Sequence, residues 1–145
     1  MIWIKWIIIF ILSLSKPTYI KQIQHNNTEI TNNRISITKY IGIPYLYGGN
    51  DFNGIDCSSL VGLIYKEQYN INIPRTSYQI ANIGFEVDSF KQGDIMIFEH
   101  HVAFYINDNT FINATSEGVL IDSINSITWN HYWKQRYIKT IRVKC

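Results

Sequence analysis

Five short runs of strand-like sequence, 94–98, 101–106, 110–113, 118–121 and 139–143, crowd the second part of the chain. They are rich in Ile, Val, Phe and Tyr, and polar turns such as Asn107-Asp108-Asn109 separate most of them, which is the signature of strands in a sheet. The first part follows a different period. From Arg34 to about Ile43 the apolar residues Ile37, Tyr40 and Ile41 recur at helical spacing, and Pro44 halts that helix. Residues 45–55 form a glycine-rich loop. Asp56 is a good N-cap, and Leu60, Val61, Ile64 and Tyr65 mark one face of a second helix reaching about Tyr69. Residues 74–82 predict a turn and a short helix, closed by Gly84. Helices first and strands second predict an α+β domain with N-terminal helices packed on an antiparallel sheet.

A chain of 145 residues, 46% hydrophobic and 17% charged, can build one globular core and an extension. The extension is N-terminal. Lys5, the short apolar core 6–12 and the small residues Ser13 and Ser15 have the layout of a signal peptide over 1–15, or of an uncleaved anchor. The apolar run is shorter than the ~20 residues that span a bilayer. No cysteine follows it to carry a lipid. Residues 16–33 are polar, with paired asparagines, and read as a linker to a domain over 34–145. The net charge of +2, with no long Lys/Arg run, argues against nucleic acid as a partner. Export puts the domain in the periplasm, in the cell envelope or outside the cell.

The chain has two cysteines, too few for a disulfide scaffold. Cys145 is terminal, and a bridge from it would block Cys57. Cys57 falls in the first turn of the predicted helix, where unpaired N–H groups and the helix dipole favour a thiolate. The same N–H groups can form part of an oxyanion hole. A cysteine nucleophile needs a base and the base an orienting partner. His101 opens the second predicted strand and shares a face with Ala103 and Tyr105. With a three-residue loop at 107–109, Asn113 lies diagonal to His101 and its amide oxygen can fix the ring tautomer. With a two-residue loop, Asn113 faces away. The residues alone leave bland alternatives open: Cys57 as a small buried hydrophobe, His101 as a strand-end histidine, Asn113 as a polar neighbour of a turn. A zinc site built from Cys57, His100, His101 and a carboxylate lacks a Cys-x-x-Cys or His-x-x-x-His pair.

The ordered motifs Tyr45-Leu-Tyr-Gly-Gly, Gly54-Ile-Asp-Cys-Ser58, Pro74-Arg-Thr-Ser77, Gly93-Asp-Ile-Met-Ile-Phe98, His101-Val-Ala-Phe-Tyr105 and Phe111-Ile-Asn-Ala114 resemble the NlpC-type cysteine peptidases of bacterial cell walls. The tail Tyr132-Trp-Lys-Gln-Arg-Tyr137 with Arg142-Val143 is similar to the Spr-type murein endopeptidases among them. The resemblance implies a papain-like fold and a peptidoglycan endopeptidase. Cys57 would be the nucleophile, His101 the base, Asn113 the orienting residue and Tyr45 an oxyanion donor. It implies that Asp56, Ser58, Arg75 and Ser77 lie at or near the substrate cleft. It implies no metal or organic cofactor, a monomer, and peptide stems of peptidoglycan as the partner. An anchor at 1–15 would add membrane association. Three departures stand out. Ser59 and Ala103 occupy positions where the family usually has glycine, which narrows the cleft, and only Glu99 and His100 separate Phe98 from His101.

Overall fold

The computed structural model describes residues 37–144. The expected signal peptide at 1–15, the linker at 16–33, the start of the first helix and Cys145 lie outside the described residues. Residues 37 and 38 are helical and 39–42 are turn. The helix therefore stops before Pro44. Gly42, at φ +87°, supplies a left-handed backbone that an L side chain resists. Residues from Tyr40 onward form one compact unit.

Within it, the glycine-rich loop contains a small hairpin, β1 (Asn50–Asp51) and β2 (Gly54–Ile55). Helix α1 (Cys57–Tyr69) follows at once. Asp56 caps it by accepting from the Ser59 N–H, and Asn70 ends it at φ +54°. A short α2 (Ser77–Ile80) is capped by Thr76. Then come β3 (Phe85–Glu86), β4 (Ile95–Phe98), β5 (His101–Asn107), β6 (Thr110–Thr115) and β7 (Gly118–Ser123). A π-helical turn, Trp129–Trp133, leads through α3 (Lys134–Arg136) into β8 (Tyr137–Arg142). All six strands of the main sheet are antiparallel, in the order β3-β8-β4-β5-β6-β7.

The strand period of two gives this sheet two different faces. Val102, Phe104, Ile112 and Ala114 are buried on the side where α1 packs, with Leu60, Val61, Ile64 and Tyr65 buried on the helix. Tyr65 meets Phe104 edge-on, with ring centroids 5.9 Å apart. The opposite face carries Met96, Phe98, Ala103, Tyr105 and Phe111 under Trp133, with Phe90, Ile124, Trp129 and Tyr137 packed around them. The segment between β7 and β8, unassigned by helical or strand periodicity, thus covers the second face. Arg142 closes the sheet near its edge. Its Nε and Nη2 each donate to a different oxygen of buried Asp94 at 2.8 Å.

Candidate active site

The loop before α1 is held by a polar knot around Asp56. Oδ1 accepts from the Ser59 N–H at 2.8 Å, and Oδ2 from the Gly48 N–H at 3.0 Å. Arg75 forks onto the same carboxylate, with Nη1 3.1 Å from Oδ1 and Nη2 2.8 Å from Oδ2. Arg75 Nη1 also donates to Ser58 Oγ at 2.9 Å. Burial alone would raise the Asp56 carboxyl. Arg75 and the Ser59 N–H outweigh it and hold the carboxyl below its ordinary range. Asp56, Ser58 and Arg75 are therefore engaged with one another, and the side chain of Ser77 takes no part in their network.

Cys57 emerges from this knot as a free thiol, only 8% exposed. Its pKa is raised: burial is the main cause, and the charge of Asp56 adds to it. The backbone N–H groups of Val102, Ser58 and Cys57 itself pull the other way without prevailing. Helix position alone predicted a thiolate, but removing a charged sulfur from water costs more than these donors return. The Val102 N–H is available for a structural reason. Tyr105 N–H points to the β4 side, where it reaches Asp94 O at 2.9 Å, so by alternation Val102 N–H points to the β6 side. The β5–β6 ladder is formed only from Phe104 onward, which leaves that donor to the sulfur.

His101 opens β5 after the Glu99–His100 turn, in which His100 takes φ +57°. Its Nε2 lies 3.1 Å from Asn113 Oδ1. Asn113 Nδ2 in turn donates to the Leu120 carbonyl at 3.5 Å, which fixes which end of the amide faces the ring. An amide oxygen only accepts, so Nε2 carries the proton and Nδ1 keeps the lone pair. The ring sits between Phe98, centroid 5.8 Å away, and Trp133, stacked at 4.8 Å and 23°. Burial pushes the His101 pKa down to about 4, and the Asn113 bond only partly opposes this.

Asn113 reaches His101 by a route that differs from the expected one. The connection has two residues, Asp108 and Asn109, at φ +46° and +64°, with Asn107 opposite Thr110. Positive φ at both central positions is what a tight hairpin turn requires. That loop alone would turn Asn113 away. The register then shifts between Tyr105 and Asn107, so that Tyr105 faces Phe111 and Phe104 faces Ile112. Ile106 is the extra residue of a bulge. Continued by one pair, this register places Asn113 opposite Ala103 and diagonal to His101, as the catalytic reading requires.

Tyr45 makes a single parallel bridge to Ile55. Its hydroxyl pKa is raised, first by burial and then by the charges of Cys57 and Asp56, so Tyr45 lies within electrostatic reach of the Cys57 sulfur. Tyr45 and His101 line one cleft of about 800 Å³, together with Glu99, His100, Tyr132 and Arg136. Asp56, Cys57, Ser58, Arg75, Ser77 and Asn113 do not line it. Ser59 and Ala103 are buried and do not narrow it, whereas Glu99 and His100 form part of its wall. Among the described residues no cluster of His, Cys, Asp and Glu could hold a metal ion. Trp133, Tyr132 and Arg136 are the site residues that motif chemistry alone did not single out.

The Asp56 knot makes one outcome expected. Arg75→Ala leaves the Asp56 charge beside the sulfur without its counter-ion, so the Cys57 thiol should titrate still higher. Iodoacetamide alkylation followed against pH reads this directly. A profile identical to wild type would mean that Asp56 does not act on the sulfur.

Residues 42–142 match the model of the NlpC/P60 family. The chain is 37% identical over 110 residues to the murein DD-endopeptidase MepS/murein LD-carboxypeptidase of Escherichia coli, a match covering 70% of this chain and 56% of that protein. It is 34% identical over 108 residues to the probable endopeptidase NlpC of the same organism, covering 67% and 70%. The crystal structure of an NlpC/P60 family protein from Bacillus cereus superposes with a TM-score of 0.67 at 30% identity, covering 76% of this chain and 38% of that one. The chain thus spans a little over half the length of its MepS relative. With a family match across the hairpin, α1 and the whole sheet, this chain belongs to the NlpC/P60 family.

Proposed function

We propose that this protein is a cysteine endopeptidase of the cell envelope that hydrolyses peptide bonds in peptidoglycan stems, with Cys57, His101 and Asn113 as its triad. One observation carries the reading: the Nε2–Asn113 bond leaves His101 Nδ1 as the basic atom, in a cleft shared with Tyr45, whose hydroxyl feels the charge of Cys57, while the Val102 N–H next along the chain from His101 reaches the Cys57 sulfur. At rest both partners are neutral. His101 takes the thiol proton as the sulfur attacks the carbonyl carbon. The Cys57 N–H and the Tyr45 hydroxyl stabilise the oxyanion. His101 then gives the proton to the departing amine, and water, activated by the same nitrogen, hydrolyses the thioester. Asn113 cannot ionise and acts by orienting the ring.

The preferred bond is the D-alanyl–diaminopimelate cross-link, a reading supported by likeness to a relative named as a DD-endopeptidase. The second candidate is the γ-D-glutamyl–diamino acid bond within one stem. The protein works as a monomer without a cofactor, and residues 1–15 direct its export or anchor it. The test is a digest of diaminopimelate-type peptidoglycan by the full chain, beside Cys57→Ala, read by mass spectrometry. Conversion of cross-linked dimers to monomers supports the first bond and shortened stems the second. An unchanged digest by folded, reduced protein would leave a binding protein of the same fold.

A further inference from the structure

The cleft wall beyond His101 contains a cation that the cysteine chemistry does not use. Arg136 lines the cleft, and its guanidinium carbon lies 4.0 Å above the Tyr132 ring centroid. Arg136 Nη1 donates to the Tyr132 carbonyl at 3.3 Å. The Tyr132 ring meets Trp133 edge-on, with centroids 4.8 Å apart at 87°. Trp133 is the ring that stacks on His101. A continuous column, His101–Trp133–Tyr132–Arg136, therefore fixes the guanidinium relative to the base.

Arg136 differs from the other arginines of the described residues. Arg75 and Arg142 each direct a fork at an aspartate, Asp56 and Asp94. Arg136 is half-buried and, among the described residues, pairs with no carboxylate, although Glu99, Glu117 and Asp122 share its cleft. A planar guanidinium held on an aromatic face keeps its free N–H groups in a fixed array. That array matches a carboxylate, which accepts two parallel hydrogen bonds. The surrounding carboxylates repel an anion, so a ligand carboxylate is accepted only where the arginine meets it.

We propose that Arg136 is the receptor for a free carboxylate on the peptide substrate, set by the aromatic column at a fixed reach from the bond being cut. The proposal rests on the stem-peptide reading of the cleft. Such a stem offers two free carboxylates beside its chain: the α-carboxylate left by a γ-linked glutamate, and that of the diamino acid.

The experiment compares three synthetic cross-linked stems: both carboxylates free, the glutamate amidated, and the diamino acid amidated. Each is cleaved by the full wild-type chain, by Arg136→Gln and by Arg136→Lys. With wild type, one of the two amidations should raise KM by about 10- to 100-fold and change kcat much less, as loss of a charge-assisted hydrogen-bond pair implies. That amidation identifies the carboxylate. Arg136→Gln should show the same rise on the free stem and no further rise on that amide, and Arg136→Lys should recover part of the loss. Equal wild-type KM on all three stems overturns the proposal while the peptidase reading stands, and so does an Arg136→Gln loss that is the same on every stem. A wild-type chain inert on all three overturns the peptidase reading, and this proposal with it. The wild-type comparison needs no variant to fold.

Discussion

Cys57→Ala, His101→Ala and the double variant are each expected to lose about the same factor in kcat, roughly 10⁶, because residues that act as one unit are not additive. The neutral resting pair makes this expectation sharp. Burial holds the thiol proton on Cys57 and keeps His101 unprotonated until the pH falls to about 4. No thiolate stands ready to attack when the base is removed. The pH dependence has a definite sign. His101 must be neutral to accept the proton, so kcat/KM should fall as the pH drops through about 4 and should be level through the range around the usual histidine value of ~6.5. Steady-state rates from pH 3.5 to 8 on one cross-linked stem read both the acid limb and the level range. A His101→Ala rate within tenfold of wild type, or an acid limb near 6.5, would rule out this base in this environment.

The helix, the strands and the contact between His101 and Asn113 were legible because each carried a local signal. Asp56 before an apolar face set the start of α1 within one residue, and alternation through 101–106 placed His101 on a face. Asn113 shows how a correct contact can follow from an incorrect loop. Two residues with positive φ made the tighter turn, and a bulge at Ile106 restored the register. A bulge leaves little trace in sequence, since Ile106 is as apolar as a regular strand residue. The thiolate expectation erred differently. Helix position was read correctly, but burial of Cys57 depends on how β5 and the loop close over it, which no local pattern reports. Segment 129–136 carried a family motif at 132–137 but no secondary-structure signal, because a π-helical turn followed by three helical residues has neither the 3.6 nor the 2.0 period. Its aromatic residues are nevertheless the roof over the sheet and the wall of the cleft. Arg75 shows a further limit: its fork onto Asp56 joins two loops 19 residues apart.

Trp133→Ala is expected to move the acid limb of kcat/KM upward from about 4 toward the ordinary histidine value of ~6.5, which makes Trp133 a positioning residue for the base. Trp133 lies over the imidazole face at 4.8 Å, and burial is the cause of the low His101 pKa. Removing the indole admits water to the ring and to its bond with Asn113, and the imidazolium is then no longer penalised. The consequence is strongest between the two values. At pH 5 wild type keeps a neutral base, while the variant is mostly protonated there, a loss of roughly 30-fold if its pKa reaches 6.5. At pH 8 both bases are neutral, and only the loosened ring geometry remains as a deficit. Trp133→Phe keeps an aromatic cover and should hold the limb close to wild type. NMR titration of the His101 ring in each chain measures the same quantity without turnover. If Trp133→Ala folds, loses activity equally at pH 5 and pH 8, and leaves the His101 titration in place, the indole supports the aromatic face of the sheet and does not tune the base.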